Sequence, residues 1–307
     1  MIKYFHHTVG KKMKELNKFQ IGSLVMVKSP TEEELKFLIN KFNLEEGLVA
    51  DALDPYEAPR LEYDKSNSYI FFRIPNVDKN KDKFSTFSAL LVVGSNFILM
   101  LASEDTEFLL KNLKKQKNFY TSQKIKAFLQ IFNEVETRYN HLLVQINRKI
   151  NYFSFNIDKV SEKDIANFVR FEIILNEFLG ALLPMRHILK SISLGKNFNF
   201  YQEDKDILED LELINEQMTE LCKSNVYKIT TVRKSYEVIS TNKLNRTMKL
   251  LTTLTVVLTL PTMITSFYGM NVSLPFSNNP FTFWYVLILA IFLMVLLLIV
   301  FKFRRKI

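Results

Sequence analysis

A row of polar side chains recurs near the C-terminus at alternating steps of three and four residues. Side chains at this spacing share one face of an α-helix. In an apolar helix their oxygens need partners: a neighbouring helix, the helix's own carbonyls or water. A water-filled pore accounts for the row better than packing alone, and one helix encloses a pore only with copies of itself. The row consists of six polar residues, Asn245, Thr252, Thr255, Thr259, Thr262 and Ser266, and of Met248, which has the same spacing.

The tetrapeptide Tyr268-Gly269-Met270-Asn271 follows this row, within residues 250–301, which contain no Asp, Glu, Lys or Arg. A ring of asparagine amides offers neutral carbonyl oxygens. These suit Mg²⁺, because this ion gives up its hydration water reluctantly and is best held through that water. A carboxylate ring would bind more tightly and slow release. We therefore expect Asn271 to select a hydrated divalent cation, with Gly269 permitting a backbone turn at the helix end and Met270 packing behind the ring.

This motif, placed at the end of the first of two C-terminal apolar stretches, resembles that of the CorA magnesium transporters and their zinc-transporting relatives. The likeness extends upstream, where Met248-Lys249-Leu250-Leu251-Thr252 and Pro261-Thr262 lie at family-like distances. The resemblance implies a homo-oligomer, specifically a pentamer. Its outer selectivity ring would be formed by Gly269, Met270 and Asn271.

The resemblance also implies roles for residues deeper in the first apolar stretch. Asn245 matches an inner polar ring, Met248 and Leu251 match a hydrophobic constriction, and Thr262 matches a threonine ring midway. Thr259 stands where relatives place methionine. The segment after Asn271 lacks the carboxylate that many relatives use to concentrate cations.

Two aspartates in the first 249 residues resemble a regulatory pair of the family. Asp51 lies eight residues before Pro59, as in the family's loop, and Asp210 matches the long-helix aspartate by counting back from the motif. In that family such a pair bridges adjacent subunits through Mg²⁺, so the ion would be both transported and regulatory. The alternative is that both are solvated surface carboxylates.

These features predict a channel or transporter for Mg²⁺ uptake, with Co²⁺ and Ni²⁺ as further candidates, gated by cytosolic Mg²⁺. One alternative is Zn²⁺ transport by a member of the same family. A second is a membrane-anchored scaffold or regulator that does not conduct. The scaffold interpretation predicts a degenerate polar row, whereas the row here is intact.

Several other classes of function are disfavoured. No Gly-x-x-x-x-Gly-Lys or Gly-x-Ser-x-Gly motif occurs, so we expect neither an enzyme nor an organic cofactor. The net charge is +9, but basic and acidic residues are interspersed before residue 250, which argues against nucleic acid as a partner. Cys222 is the only cysteine and is expected to be a buried thiol.

The charge pattern around the two apolar stretches predicts their orientation in the lipid bilayer. Each membrane crossing needs about 20 apolar residues, and the cytoplasmic flanks of such spans collect lysine and arginine. Both termini are therefore expected in the cytoplasm, in a multi-pass protein of the inner membrane. The flanking basic residues include Lys243, Arg246, Lys249, Lys302, Arg304, Arg305 and Lys306.

The remaining sequence predicts the elements that position these residues. Short β-branched and aromatic runs at 24–27, 69–74, 84–93 and 97–101 indicate strands. Three long helices at about 121–158, 162–192 and 204–269 follow from the scarcity of glycine and proline. The fold class is an α/β cytosolic domain with a long-helix stalk and two C-terminal transmembrane helices, in a funnel-shaped homo-oligomer.

The expected divisions are an α/β domain (1–118), a helical hairpin (119–200), a stalk helix (201–249), a pore-lining span (250–270), an external loop (271–280), a second span (281–301) and a basic tail (302–307).

Overall fold

The computed structural model describes residues 1–9, 11–64, 66–78, 83–104, 106–155, 157, 160–195, 198, 200–272 and 279–304. Arg305, Lys306 and most of the expected external loop lie outside this set, as do the side chains of Lys302 and Arg304. The chain divides into two units, Met1–Arg233 and Lys234–Ile307.

The first unit contains a seven-stranded sheet whose order is β2-β1-β3-β7-β6-β5-β4. β3 and β7 pair in parallel and the other neighbours are antiparallel. The four predicted strands are confirmed as β3, β5, β6 and β7, while β1, β2 and β4 were not predicted. The strands are β1 (Ile2–His6), β2 (Lys14–Leu16), β3 (Ser23–Lys28), β4 (Arg60–Asp64), β5 (Asn67–Asp78), β6 (Lys83–Val93) and β7 (Phe97–Ala102).

Three short helices accompany the sheet: α1 (Glu32–Phe42), α2 (Glu46–Asp51) and α3 (Glu107–Leu113). α1 begins with a capping box: the backbone N–H of Glu34 donates to the Thr31 hydroxyl at 3.2 Å, and Thr31 N–H donates to the Glu34 carboxylate at 3.1 Å. α1 and α2 contribute Leu38, Phe42 and Val49 to the hydrophobic core. α2 therefore presents its last residue, Asp51, on an element anchored to the core.

The three predicted long helices are confirmed as α4 (Lys124–Phe155), α5 (Glu162–Leu194) and α6 (Gln202–Tyr268). α6 continues through Pro261. A second capping box, between Ser161 and Asp164, begins α5.

Polar pairs fix the register between α4 and α6. Lys126 with Glu203, Glu136 with Asn215, and Asn151 with Lys228 are separated by 77, 79 and 77 positions. Because this offset is nearly constant, the two helices run parallel.

α6 buries a series of side chains along one face of its N-terminal part: Leu208, Leu211, Met218, Cys222, Ile229 and Val232. Asn215 and Asn225, which interrupt the series, are also fully buried. Cys222 is a buried free thiol, as expected, and burial raises its pKa to about 12.

The second unit contains the C-terminal part of α6 and the helix α7 (Thr282–Arg304). α6 and α7 are the two described helices long and apolar enough to cross a membrane. Among the described residues of this unit, the buried side chains are Val257 on α6 and Ala290 on α7. Half-buried residues share the helix face of each buried one. They are Thr253, Leu260 and Ile264 on α6, and Val286, Leu293 and Leu297 on α7. We infer that these two helix faces lie opposite each other.

Candidate ion pathway

The predicted polar row lies on the exposed side of α6. Each of its members is exposed in the single chain, from Asn245 through Met248 and the threonines to Ser266. Val257 and its half-buried neighbours occupy the opposite side of the helix, because their positions are offset from the row by half a turn. α6 thus has one apolar face turned towards α7 and one polar face free to meet copies of itself.

The threonine hydroxyls of the row donate their hydrogens to carbonyls of α6. Thr252 donates to Met248 O at 2.9 Å, and Thr255 donates to Leu251 O at 2.9 Å. Thr259 donates to Thr255 O at 2.7 Å, and the single hydroxyl hydrogen of Thr262 is shared between Thr259 O at 2.8 Å and Leu258 O at 3.1 Å. A hydroxyl has one hydrogen to donate but two acceptor lone pairs. The outward side of each oxygen is therefore an acceptor, which is what the water around a cation requires.

A hydrogen bond from the hydroxyl to a carbonyl of the same helix does not distinguish the threonines of the row from other threonines of α6. Thr253 and Thr265 lie off the row and donate in the same way, to Lys249 O at 2.7 Å and to Pro261 O at 3.0 Å. The distinguishing property of the row is its continuous placement on the side of α6 opposite Val257.

The tetrapeptide follows directly after α6. Tyr268 is the last helical residue, and Gly269 N–H still donates to Thr265 O at 3.0 Å. Met270 is 51% exposed, and Asn271 is exposed beyond it. The amide of Asn271 is thus available at the end of the row.

Gly269 is expected to permit the backbone turn at the helix end, and the chain does turn there, directly after Tyr268. Its φ is not in the left-handed region, and an added Cβ would make ordinary contacts at 3.5 Å with Ser266 O and Thr265 O. The helix simply ends there, so the local backbone does not require glycine.

Met248 and Leu251 lie at the other end of the uncharged stretch. They are 53% and 56% exposed and one turn apart on α6. Large apolar side chains in this position have no partner within the described part of the chain that would cover them. Copies of the same residues from neighbouring subunits would close the constriction that the sequence predicts.

Asp51 is part of an ion-pair cluster that sequence reasoning missed. Its Oδ2 accepts a hydrogen bond from Arg60 Nη2 at 2.6 Å, and Arg60 also pairs with Glu57 and Glu62. The guanidinium lies 4.0 Å from the centre of the Phe71 ring, which anchors it to the sheet. A cation that binds the Asp51 carboxylate must therefore compete with the Arg60 guanidinium for it.

Asp210 is exposed on α6. No set of three or more acidic, histidine or cysteine side chains within the described residues is arranged to hold a metal ion. Asp51 and Asp210 belong to no such set, and the expected Mg²⁺ bridge between them is one that joins adjacent subunits.

The fold and this helix pair define a membrane transport protein with a large soluble α/β unit. The chain belongs to the CorA-like Mg²⁺ transporter family, whose profile matches residues 23–305.

Individual relatives agree with this assignment. The cobalt/magnesium transport protein CorA of Methanocaldococcus jannaschii is 25% identical over 293 residues, covering 90% of this chain and 88% of the relative. The complete structure of the CorA magnesium transporter from the same organism has a TM-score of 0.84 at 21% identity, covering 98% of this chain and 97% of that one. The ZntB cytoplasmic domain of Vibrio parahaemolyticus shares the fold of the soluble unit, with a TM-score of 0.66, 9% identity, and coverage of 78% and 98%.

Proposed function

We propose that copies of this chain assemble into a pentameric channel that conducts Mg²⁺, with Co²⁺ and Ni²⁺ as further substrates. The observation that carries the proposal is the exposed polar row, which faces away from Val257 and leads to Asn271. Five copies of this face around an axis enclose a path lined by oxygen acceptors.

The chemistry follows from what Mg²⁺ needs. The ion enters with its water shell, because stripping that shell is costly. The Asn271 amides accept hydrogen bonds from this water at the mouth. Along the path, the threonine oxygens take over as the acceptors for the same hydration water. Neutral acceptors hold the ion weakly enough to release it. Gly269 supports the ring through its backbone, and Met270 packs behind the ring.

Closure is assigned to the narrow apolar ring of Met248 and Leu251, which excludes water when its side chains converge. Asn245 receives the ion on the cytoplasmic side. An inside-negative potential drives a divalent cation inward with roughly 4.6 kcal/mol per 100 mV, since each charge contributes about half of that. No organic cofactor or nucleotide hydrolysis by this chain is needed.

We further propose that both termini face the cytoplasm, in the inner membrane. Lys249 precedes the uncharged stretch, and Lys302, Arg304, Arg305 and Lys306 follow it, as expected for cytoplasmic flanks. Regulation by cytosolic Mg²⁺ is assigned to Asp51 and Asp210 of adjacent subunits, with Arg60 as the competing cation in the ion-free state.

A matched pair of threonine variants tests the pathway. Thr255 lies on the row and Thr253 lies off it, yet both donate to the carbonyl four residues back. Thr255→Val removes an acceptor from the proposed pore, whereas Thr253→Val removes an equivalent hydroxyl from the side facing α7. We expect Mg²⁺ flux into proteoliposomes to fall several-fold in Thr255→Val and to stay near the wild-type value in Thr253→Val.

The same assay run with Mg²⁺, Co²⁺, Ni²⁺ and Zn²⁺ identifies the substrate. Zn²⁺ flux exceeding Mg²⁺ flux would replace the proposal with a zinc transporter. Absence of flux for all four ions in assembled protein would favour the scaffold alternative. Equal loss of flux in both threonine variants would contradict the assignment of the row as the pore lining.

A further inference from the structure

Three basic side chains precede the uncharged stretch of α6 and are exposed: Lys243, Arg246 and Lys249. The last acidic residue of the chain is Glu237, so the sequence supplies no carboxylate after it to neutralise them. No hydrogen bond or ion pair from these three side chains to another described residue is present. They therefore form a positive patch, which we call the basic collar.

The basic collar lies on the side of α6 that carries Val257. Thr253, Val257, Leu260 and Ile264 follow one another at alternating steps of four and three residues on this side. Leu250, Arg246 and Lys243 extend the same spacing towards the N-terminus of the helix. Lys249 lies one turn before Thr253. The row led by Met248 and Thr252 is on the other side of the helix. The charges of the collar are consequently directed away from the proposed pore and towards the α7 side.

α7 ends in sequence with Lys302 and Arg304. If α6 and α7 each cross the bilayer, as the proposed function requires, the end of α7 returns to the surface at which the uncharged stretch of α6 begins. The collar then lies at the lipid headgroups, with positive charge of the same sign added by α7.

We propose that the basic collar binds the phosphate of an anionic phospholipid in the leaflet on the side of the soluble unit. Basic residues directly outside a membrane helix attract anionic headgroups, and the attraction is confined to within a Debye length of the surface. Outward-facing lysine and arginine can reach lipid, whereas the pore-facing row cannot. The arrangement fits an anionic headgroup better than a zwitterionic one, because the collar has no carboxylate to pair with a choline.

Native mass spectrometry of the full-length protein with bound lipid tests this inference. Wild-type protein in detergent is titrated with phosphatidylglycerol or phosphatidylcholine of matched acyl chains. We compare the triple variant Lys243→Gln, Arg246→Gln, Lys249→Gln with a control that removes three exposed lysines from the soluble part of the same helix: Lys205→Gln, Lys223→Gln, Lys234→Gln. Phosphatidylglycerol binding should fall at least about tenfold in the collar variant and remain unchanged in the control.

Three further arms separate the possible results. The variant Lys243→Arg, Lys249→Arg keeps the charge and should retain lipid binding. Inorganic phosphate at millimolar concentration should not displace phosphatidylglycerol, and displacement would indicate a soluble anion site instead. Should the triple variant assemble poorly, Lys243→Gln, Arg246→Gln is measured in its place.

Equal binding of both lipids by wild-type protein, or full phosphatidylglycerol binding by the collar variant, would overturn the inference. Neither result bears on ion conduction. The membrane placement on which the inference rests is tested separately: wild-type protein extracted from membranes by alkaline carbonate would contradict the proposed function itself.

Discussion

At the scale of single residues, Asn271 combines a polar side chain with the absence of charge. Its amide accepts hydrogen bonds from water around a cation but offers no full negative charge. The uncharged residues on either side of it leave the amide as the principal recognition group at the mouth.

Replacing Asn271 by alanine should lower Mg²⁺ flux by about tenfold or more, because the loss of a hydrogen-bond acceptor at the mouth costs on the order of 1 kcal/mol per subunit. Flux into proteoliposomes measures this, and size-exclusion chromatography controls for assembly. Asn271→Gln, which keeps the amide, should retain intermediate flux. Wild-type flux in assembled Asn271→Ala would remove the residue from the selectivity ring.

Some residue-level features could be predicted and others could not. The row needed only the helical period, which is a local property of the sequence. The Asp51–Arg60 pair joins the end of a helix to the start of a strand, so it depends on the tertiary arrangement. The turn at Gly269 could be predicted from residue type, although the backbone there does not require glycine.

At the scale of elements, the contact between α4 and α6 contains a buried carboxyl group. Glu136 is 2% exposed, and its Oε1 accepts one hydrogen bond from Asn215 Nδ2 at 3.3 Å. Glu136 Oε2 and Asn215 Oδ1 lack a partner within the described residues. Burial raises the pKa of Glu136 to about 8, partly offset by the hydrogen bond from Asn215.

This pKa predicts how stability depends on pH. In the unfolded chain Glu136 ionises near its ordinary value of 4.5, whereas in the folded chain it retains its proton up to about pH 8. Between these values the folded state binds the extra proton, so the free energy of unfolding falls by roughly 1.4 kcal/mol per pH unit as pH rises. Above about 8 both states are ionised and the loss stops.

Glu136→Gln removes this dependence while keeping a polar side chain. We expect its melting temperature to rise relative to wild type as pH increases from 5 to 8, measured on the full-length protein in detergent. Glu209→Gln, an exposed site on α6, should show no such trend. A difference between Glu136→Gln and wild type that stays constant with pH would mean that Glu136 is already ionised in the folded protein.

Met248, which is part of the row, and Leu251 beside it form an apolar segment of α6 near the proposed cytoplasmic end of the row. Replacing either by serine should raise basal Mg²⁺ flux several-fold, because a narrow apolar ring gates by excluding water. Flux at high internal Mg²⁺, where closure is expected, is the most sensitive measurement. Leu254, exposed on another side of α6, provides the control Leu254→Ser. Reduced flux in both Met248→Ser and Leu251→Ser at normal expression would place the gate elsewhere.

The long helices were predictable because few residues between 121 and 260 break a helix, and the central strands because their apolar runs are continuous. β2 and β4 lie at the edges of the sheet, where the apolar signal is weak. Asn215 and Asn225 are polar residues, yet both are fully buried on α6. Asn215 pairs with Glu136 of α4, and the sequence alone does not identify that partner.

At the scale of the whole molecule, one chain contains two units and only a part of each proposed intersubunit site. The pore face of α6 and the pair Asp51 and Asp210 both need neighbouring copies. Bound Mg²⁺ can favour a closed assembly only by binding that state more tightly than the open one.

Converting Asp51 and Asp210 together to asparagine should weaken Mg²⁺-dependent protection of the soluble unit against protease and reduce inhibition by internal Mg²⁺. Arg60→Gln should act oppositely and protect at lower Mg²⁺ concentration, because Arg60 no longer competes for the Asp51 carboxylate. Limited proteolysis across a Mg²⁺ series measures both. Unchanged protection in the double variant would mean that both aspartates are solvated surface carboxylates without a regulatory role.

The direction in which the threonine hydroxyls point has a consequence for anions. Thr252, Thr255, Thr259 and Thr262 have committed their hydrogens to backbone carbonyls, so their outward surface consists of lone pairs. Chloride is solvated by hydrogens directed at it, and these four residues present none. An uncharged wall can therefore reject anions through the orientation of its dipoles alone. The reversal potential under a magnesium chloride gradient would report this as permselectivity for the cation.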